Sequence, residues 1–231
     1  MSRVFADRRE AGRELGRRVA EAVRGDDVII LGLPRGGVPV AFEVAAALEA
    51  PLDVFLVRKL GVPGHEELAM GAIASGGVRV VNESVVQGTG VSQDEIDGVA
   101  RRELAELERR EQLYRDGRRA PDVAGRTVVV VDDGLATGST MQAAVAALQR
   151  LGAGHLVVAV PVASPATCAH FEQQADAVVC VETPERFSAV GLRYDDFSPT
   201  EDDEVCALLR EARSRRPQPD RSAPETTPRG G

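Results

Sequence analysis

Aromatic residues are scarce in this chain of 231 residues: six phenylalanines, two tyrosines and no tryptophan. Cysteine is rarer still. Cys168, Cys180 and Cys206 are odd in number and show no CxxC spacing, so neither a disulfide framework nor a thiolate metal site is expected. Reduced, partly buried thiols are the reading. His155 and His170 stand alone in the sequence, and no zinc site is assigned. No apolar run approaches transmembrane length, and the first ten residues are too charged for a signal peptide. A soluble, cytoplasmic protein away from membranes is therefore expected. A net charge of −8 argues against sequence-independent binding to nucleic acid. The Gly-Lys-Ser/Thr string of a nucleotide-hydrolase P-loop is also missing.

Against these absences, residues 128–140 are dense in chemistry. Val128 to Val131 form a β-branched run, the signature of a strand buried on both faces. Asp132, Asp133 and Gly134 follow, then Ala136, Thr137, Gly138, Ser139 and Thr140. A helical pattern starts at once, with Met141, Ala144, Val145 and Leu148 recurring at three- and four-residue spacing. The arrangement is a strand, a tight loop and a helix N-terminus. Backbone N–H groups there face any anion in the loop, and the helix dipole favours negative charge. The hydroxyls donate to phosphate oxygens, and the glycines admit close backbone approach. Two carboxylates repel a phosphate but suit sugar hydroxyls or a magnesium ion. The loop reads as a sugar-phosphate site.

Elsewhere strands and helices alternate. Helices are expected over 7–23, 38–48, 92–114, 141–148, 166–173 and 201–213. Strands are expected over 27–31, 52–57, 128–131, 156–160 and 177–181, with weaker candidates at 68–73 and 78–81. The pattern implies an α/β fold with a mostly parallel, doubly wound sheet. In such sheets ligands bind beyond the carboxyl ends of the strands, near the switch in strand order. Residues 32–37, Arg58-Lys59 and Asp132–Thr140 all follow expected strand ends, so three separate segments can converge there. The helix at 92–114 is highly charged, with a capping box from Ser92 and Glu95 and a narrow apolar stripe. It is expected to be solvated over most of its girth and to belong to a subdomain or an oligomer contact. His65-Glu66-Glu67 reads as a solvated loop rather than an acid–base cluster. Gly32 to Gly37 is not a dinucleotide fingerprint, because Pro34 fills the second glycine position.

Residues 128–140 resemble the phosphoribosyl-diphosphate (PRPP) motif of type I phosphoribosyltransferases. That resemblance spans about 28–205 and implies residue roles. Asp132 and Asp133 would accept from the ribose 2′- and 3′-hydroxyls and could help hold magnesium. Gly134 and the turn Ala136, Thr137, Gly138, Ser139 and Thr140 would cradle the 5′-phosphate. Pro34, Arg35, Gly36 and Gly37 match the diphosphate loop, where family members often carry a non-proline cis peptide. Arg58 and Lys59 resemble a basic pair at the diphosphate, followed by a flexible lid within 61–120. Arg35, Lys59 and Asp133 would carry the catalytic contribution.

The resemblance also implies an acceptor hood, here 182–200, within a domain of 1–214; beyond it, 215–231 reads as a disordered tail. The hood holds three of the eight aromatics, and Phe187 and Tyr194 are candidates to stack on a flat acceptor. Core packing is at least as strong a reading of each. Ala136 stands where hypoxanthine–guanine enzymes carry an aspartate, so the loop names neither base nor acceptor. The implied activity is transfer of phosphoribose from PRPP, with magnesium, to a nitrogen of a small acceptor, a nucleobase by default. A homodimer is expected by the same analogy. The alternatives are a non-catalytic PRPP sensor and a sugar-phosphate hydrolase.

Overall fold

The computed structural model describes residues 4–23, 25 and 27–215. Apart from Arg215, the expected tail lies outside the described residues. In chain order the elements are α1 (Arg8–Ala22), β1 (Val28–Gly32), α2 (Gly37–Ala47), β2 (Leu52–Val54), β3 (Val57–Val62), β4 (His65–Ala74), β5 (Val78–Val81), α3 (Glu83–Thr89) and α4 (Gln93–Arg115). The second half adds β6 (Thr127–Val131), α5 (Ser139–Arg150), β7 (His155–Val162), α6 (Pro165–Phe171), β8 (Ala177–Glu182) and α7 (Asp202–Ser214).

Five strands form a parallel sheet in the order β2-β1-β6-β7-β8. This is the α/β fold with a mostly parallel sheet that the alternation predicts. Side chains alternate across each strand. Ile30, Val129, Val131 and Val157 enter one core with Leu15, Val19 and Phe42 of α1 and α2 and Val205 of α7. Ile29, Val128, Val130 and Val158 enter the other with Met141, Val145 and Leu148 of α5 and Phe171 of α6. Burial on both faces is why these strands read as unbroken apolar runs. It also leaves polar groups nowhere to go but the strand ends.

The region after β2 departs from expectation. The apolar run at 52–57 is not one strand: β2 ends at Val54, and Phe55 and Leu56 lead into β3. There β3, β4 and β5 make a separate antiparallel sheet. The weaker strand candidates at 68–73 and 78–81 are strands and pair with each other, and His65, Glu66 and Glu67, read as a solvated loop, begin β4. Gly61 sits where the β3–β4 register shifts, and a Cβ there would lie 2.5 Å from the Glu66 carbonyl oxygen. Glycine here permits a bulge rather than a turn. Helix α3 is a single short element without a buried stripe, which is why periodicity does not reveal it.

Helix α4 begins with the capping box from Ser92 and Glu95. Its stripe, including Ile96, Val99, Leu107 and Tyr114, packs within the chain against β3 and α7. The stripe is thus spent inside the chain and does not face solvent. At its C-terminal end Arg115 is buried, donating to Asp53 at 2.9 Å and to the Val54 carbonyl at 2.8 Å, with Glu111 2.7 Å away. Cys168 of α6 and Cys180 of β8 are paired as a disulfide, where the spacing predicts free thiols; Cys206 is free. The two elements pack side by side, a proximity that twelve residues of sequence separation do not announce.

Removing one member of a buried ion cluster strands the others without a partner. Arg115→Ala is therefore expected to cost about 3 kcal/mol or more, lowering the melting temperature by roughly 6–12 °C. Calorimetry checks this, and a shift under about 2 °C would show that Arg115 does not pin α4 to β2.

Candidate functional site

The site begins with a register. Strands β1 and β6 are hydrogen-bonded neighbours, with Gly32 opposite Val131. From β1 the chain winds outward to β2; from β6 it winds the other way through β7 to β8. The loops leaving β1 and β6 therefore meet at the topological switch point, where open α/β sheets bind ligands. The Leu33 N–H donates to the Val131 carbonyl at 2.8 Å and ties the two exits together. The loop 34–37 and the loop 132–140, about a hundred residues apart, thus share one rim.

The contact is close enough to dictate residue type. A Cβ on Gly36 would lie 2.1 Å from Asp133 Oδ2, and one on Gly37 would lie 2.7 Å from the Val131 carbonyl oxygen. Only glycine lets the first loop pass beneath the acids. The Pro34–Arg35 peptide is cis, the feature the resemblance implies at this loop. Arg35 is exposed and pairs with Glu201 at 3.2 Å.

Asp132 and Asp133 are half-buried. Asp132 Oδ1 accepts the Asp133 N–H at 2.9 Å, and Asp133 Oδ2 accepts from Arg8 Nε at 2.8 Å. Among the described residues no side chain donates to the second oxygen of either acid. Two uncommitted oxygens, one from each residue, match two neighbouring hydroxyls. Burial pushes the Asp132 carboxyl well up, and the neighbouring Asp133 charge adds to the shift. Burial also raises Asp133, while the Arg8 guanidinium opposes that rise. Among the described residues no cluster of three or more His, Cys, Asp or Glu could hold a metal. Two adjacent carboxylates alone suit magnesium only where ligand oxygens and water complete the shell.

Past the acids, Gly134 is pressed beneath Val190, whose Cγ1 would lie 2.6 Å from an added Cβ. Ala136, Thr137 and Ser139 are exposed and Thr140 is half-buried. Gly138 caps α5 in the left-handed conformation, φ 71°, against the Phe171 ring. The twelve-residue helix α5 thus begins at this loop, where the Ser139 N–H donates to Thr137 Oγ1 at 3.4 Å and the Thr137 hydroxyl to Ser139 Oγ at 3.3 Å.

Arg58 and Lys59 are not at the end of a parallel strand. Both lie inside β3, where successive side chains point to opposite faces. Arg58 pairs with Glu103 of α4 at 2.6 Å and lines a small cavity with Pro34 and Thr140. Lys59 is exposed and borders a groove with Ser139 and Gln142. The two side chains differ in their surroundings: both line the cavity against α4, Arg58 also faces Pro34 and Thr140, and Lys59 faces Ser139. Lys59 is also the single lysine among 28 basic residues. Glu66 borders the cavity between the β3–β4 hairpin and α4, beside Arg58, and His65 is exposed.

The hood region, 182–200, includes a short 3-10 turn at Val190–Arg193. Tyr194 does not offer a free face: it is buried, stacks on Phe197 at 5.0 Å and contacts Phe5 at 5.7 Å. Its hydroxyl donates to the Asp133 carbonyl at 2.6 Å. Burial, reinforced by the Asp133 charge, holds that phenol neutral. The expectation that it stacks on an acceptor is thus corrected: its ring is packing, and its hydroxyl braces the acid loop. Phe187 is half-buried against the same core.

The residue that sequence reasoning misses is Arg8, at the start of α1. Besides Asp133, it donates to the Ser198 carbonyl at 2.8 Å and lies 3.9 Å from the centre of the Phe197 ring. In sequence it is one of a run of arginines on a helix, with nothing local to distinguish it.

The phosphoribosyl transferase domain family matches residues 8–195 of this chain. A protein of Mycobacterium tuberculosis, in strains H37Rv and CDC 1551, is provisionally named a phosphoribosyl transferase. It is 51% identical over 207 residues, covering 90% of this chain and 46% of its own length. The chain thus spans about half the length of the curated relatives it matches. The crystal structure of the protein TT1426 from Thermus thermophilus is 42% identical and aligns with a TM-score of 0.80, over 90% of this chain and 98% of that one.

An acid whose pKa rises on folding destabilises the fold wherever it is ionised, and stability returns as pH falls through the raised value. Asp132→Asn keeps the oxygen that accepts the Asp133 N–H but removes the charge. At neutral pH its melting temperature should exceed the parent's by about 2–8 °C. The gap should close on acidification. A variant no more stable than the parent at neutral pH would show that the buried charge carries no such cost.

Proposed function

This chain belongs to the phosphoribosyl transferase domain family, and from that premise we propose that it transfers phosphoribose from PRPP, with magnesium, to a nitrogen of a small acceptor. The observation that carries the proposal is the meeting of residues 34–37 with Asp132–Thr140 across β1 and β6. One rim then offers two acid oxygens for a vicinal diol, a helix N-terminus with hydroxyls for a phosphate, and a glycine loop with flanking cations for a diphosphate. In the transfer, the C1–O bond to diphosphate breaks and a C1–N bond forms. Positive charge builds on the sugar, and negative charge builds on the leaving group.

In this reading Asp132 and Asp133 grip the ribose hydroxyls, and the amides and hydroxyls from Ala136 to Thr140 hold the 5′-phosphate. Gly36 and Gly37 let the loop that would grip the diphosphate pass beneath the acids. Arg35 and Arg58 flank it, and developing charge on the leaving group is stabilised by such fixed cations. Arg35 must first release Glu201. Lys59, bordering the groove with Ser139, supplies a mobile charge between the two phosphate ends. Magnesium, when bound beside Asp132 and Asp133, would neutralise the diphosphate oxygens. The acceptor class is a heterocyclic nitrogen base, with Phe187 the remaining aromatic candidate beside it.

Diphosphate release from PRPP and magnesium, measured with a panel of nucleobases, tests the proposal. Release that depends on an acceptor is expected. Acceptor-independent release would make the chain a hydrolase, and binding without release would make it a sensor. Lys59→Ala should lower turnover about a hundredfold with little change in melting temperature. A second readout uses the composition. Amine-reactive labelling can modify only Lys59 and the chain terminus. PRPP with magnesium should slow labelling at Lys59; an unchanged rate would remove Lys59 from the site.

A further inference from the structure

We propose that Arg8 is a positioning residue that locks the 182–200 hood to the acid pair, so that grip on the ribose and placement of the hood are one event. The inference rests on the phosphoribosyl-transfer reading above. Its geometry is a closed circuit around one residue. Asp133 Oδ2 accepts from Arg8 Nε at 2.8 Å. The Arg8 guanidinium lies 3.9 Å from the Phe197 ring centre, and Phe197 stacks on Tyr194 at 5.0 Å. The Tyr194 hydroxyl returns to the Asp133 carbonyl at 2.6 Å. Asp133 is thus held at both its side chain and its backbone by groups that also define the hood. A further donation from Arg8 Nη1 to the Ser198 carbonyl, 2.8 Å, fastens the circuit beyond Phe197.

The chemistry requires arginine. A planar guanidinium donates within its plane while its face packs on an aromatic ring; an ammonium offers one compact charge and cannot do both. The ion pair is shielded, with Arg8 and Asp133 side chains 12% and 15% exposed, so solvent screens it little. The added Cβ at Gly36 would also lie 3.2 Å from Arg8 Nε, which places the guanidinium beside both the acid and the diphosphate loop. Because Arg8 occupies Oδ2, Asp133 keeps Oδ1 for the ribose, in an orientation that the hood sets. Any displacement of Phe197 or Ser198 must then shift that oxygen. Conversely, a ribose bound to Asp133 stabilises the hood before an acceptor arrives.

Two measurements test this, and the first needs no ligand. Amide hydrogen exchange across 190–198 should quicken about tenfold in both Arg8→Lys and Asp133→Ala, while β7 keeps its protection. Unchanged exchange in either variant overturns the coupling. The second is calorimetric titration with PRPP and magnesium, whose stoichiometry counts folded sites. Arg8→Lys should weaken binding about tenfold or more, and Phe197→Leu, which leaves the ion pair untouched, about threefold. A purely structural role would lower the folded fraction and leave the affinity of each folded site unchanged, which would overturn the inference. If the parent protein itself binds no PRPP, the transferase reading fails, and the exchange experiment still decides the coupling.

Discussion

The parallel pairing of β1 with β6, Gly32 opposite Val131, is the constraint from which the remaining architecture follows. It joins two loops that the chain separates by about a hundred residues, and it joins them where the strand order reverses. The approach is so tight that the carboxylate of Asp133 occupies the space a side chain at position 36 would need. Both core faces of the sheet are filled with aliphatic side chains, so the strand ends are where chemistry can be displayed. The buried core and the site are two consequences of one sheet.

That geometry has an electrostatic cost. Two neighbouring carboxylates sit at the rim of an apolar sheet, and burial raises both. One cation, Arg8, answers the second acid directly; among the described residues the first is met by a backbone N–H. Among the described residues one carboxylate oxygen of each acid has no side-chain donor, which a structure built for stability alone would avoid. Around this core the cations are distributed rather than clustered. Arg35 rests on Glu201, Arg58 on Glu103, and Lys59 stands in the open.

Much of this is legible in the sequence, for identifiable reasons. The strands of the main sheet are buried on both faces, so their composition alone marks them. Helices α1, α5 and α7 carry long stripes and are readable within a residue or two. The misreadings fall where local signals conflict. Gly61 reads as the start of a flexible lid because a bulged strand and a loop use glycine alike. Arg58 and Lys59 read as a pair because adjacency in sequence hides the alternation of a strand. Tyr194 reads as available because nothing in its neighbours shows that Phe5, nearly 190 residues earlier, packs on its ring.

Residues 128–140 carry their own meaning: the strand–loop–helix, the order of carboxylates, glycines and hydroxyls, and the class of ligand those groups suit. All of that chemistry operates within thirteen consecutive residues, so short-range reading suffices. The fold alone places Gly36 under Asp133, gives that acid to Arg8, and ties Arg58 to Glu103 while leaving Lys59 exposed beside Ser139. Those relations depend on which strands pair and which faces they bury. They are set by the packing of the whole core, and no single stretch of the chain contains them.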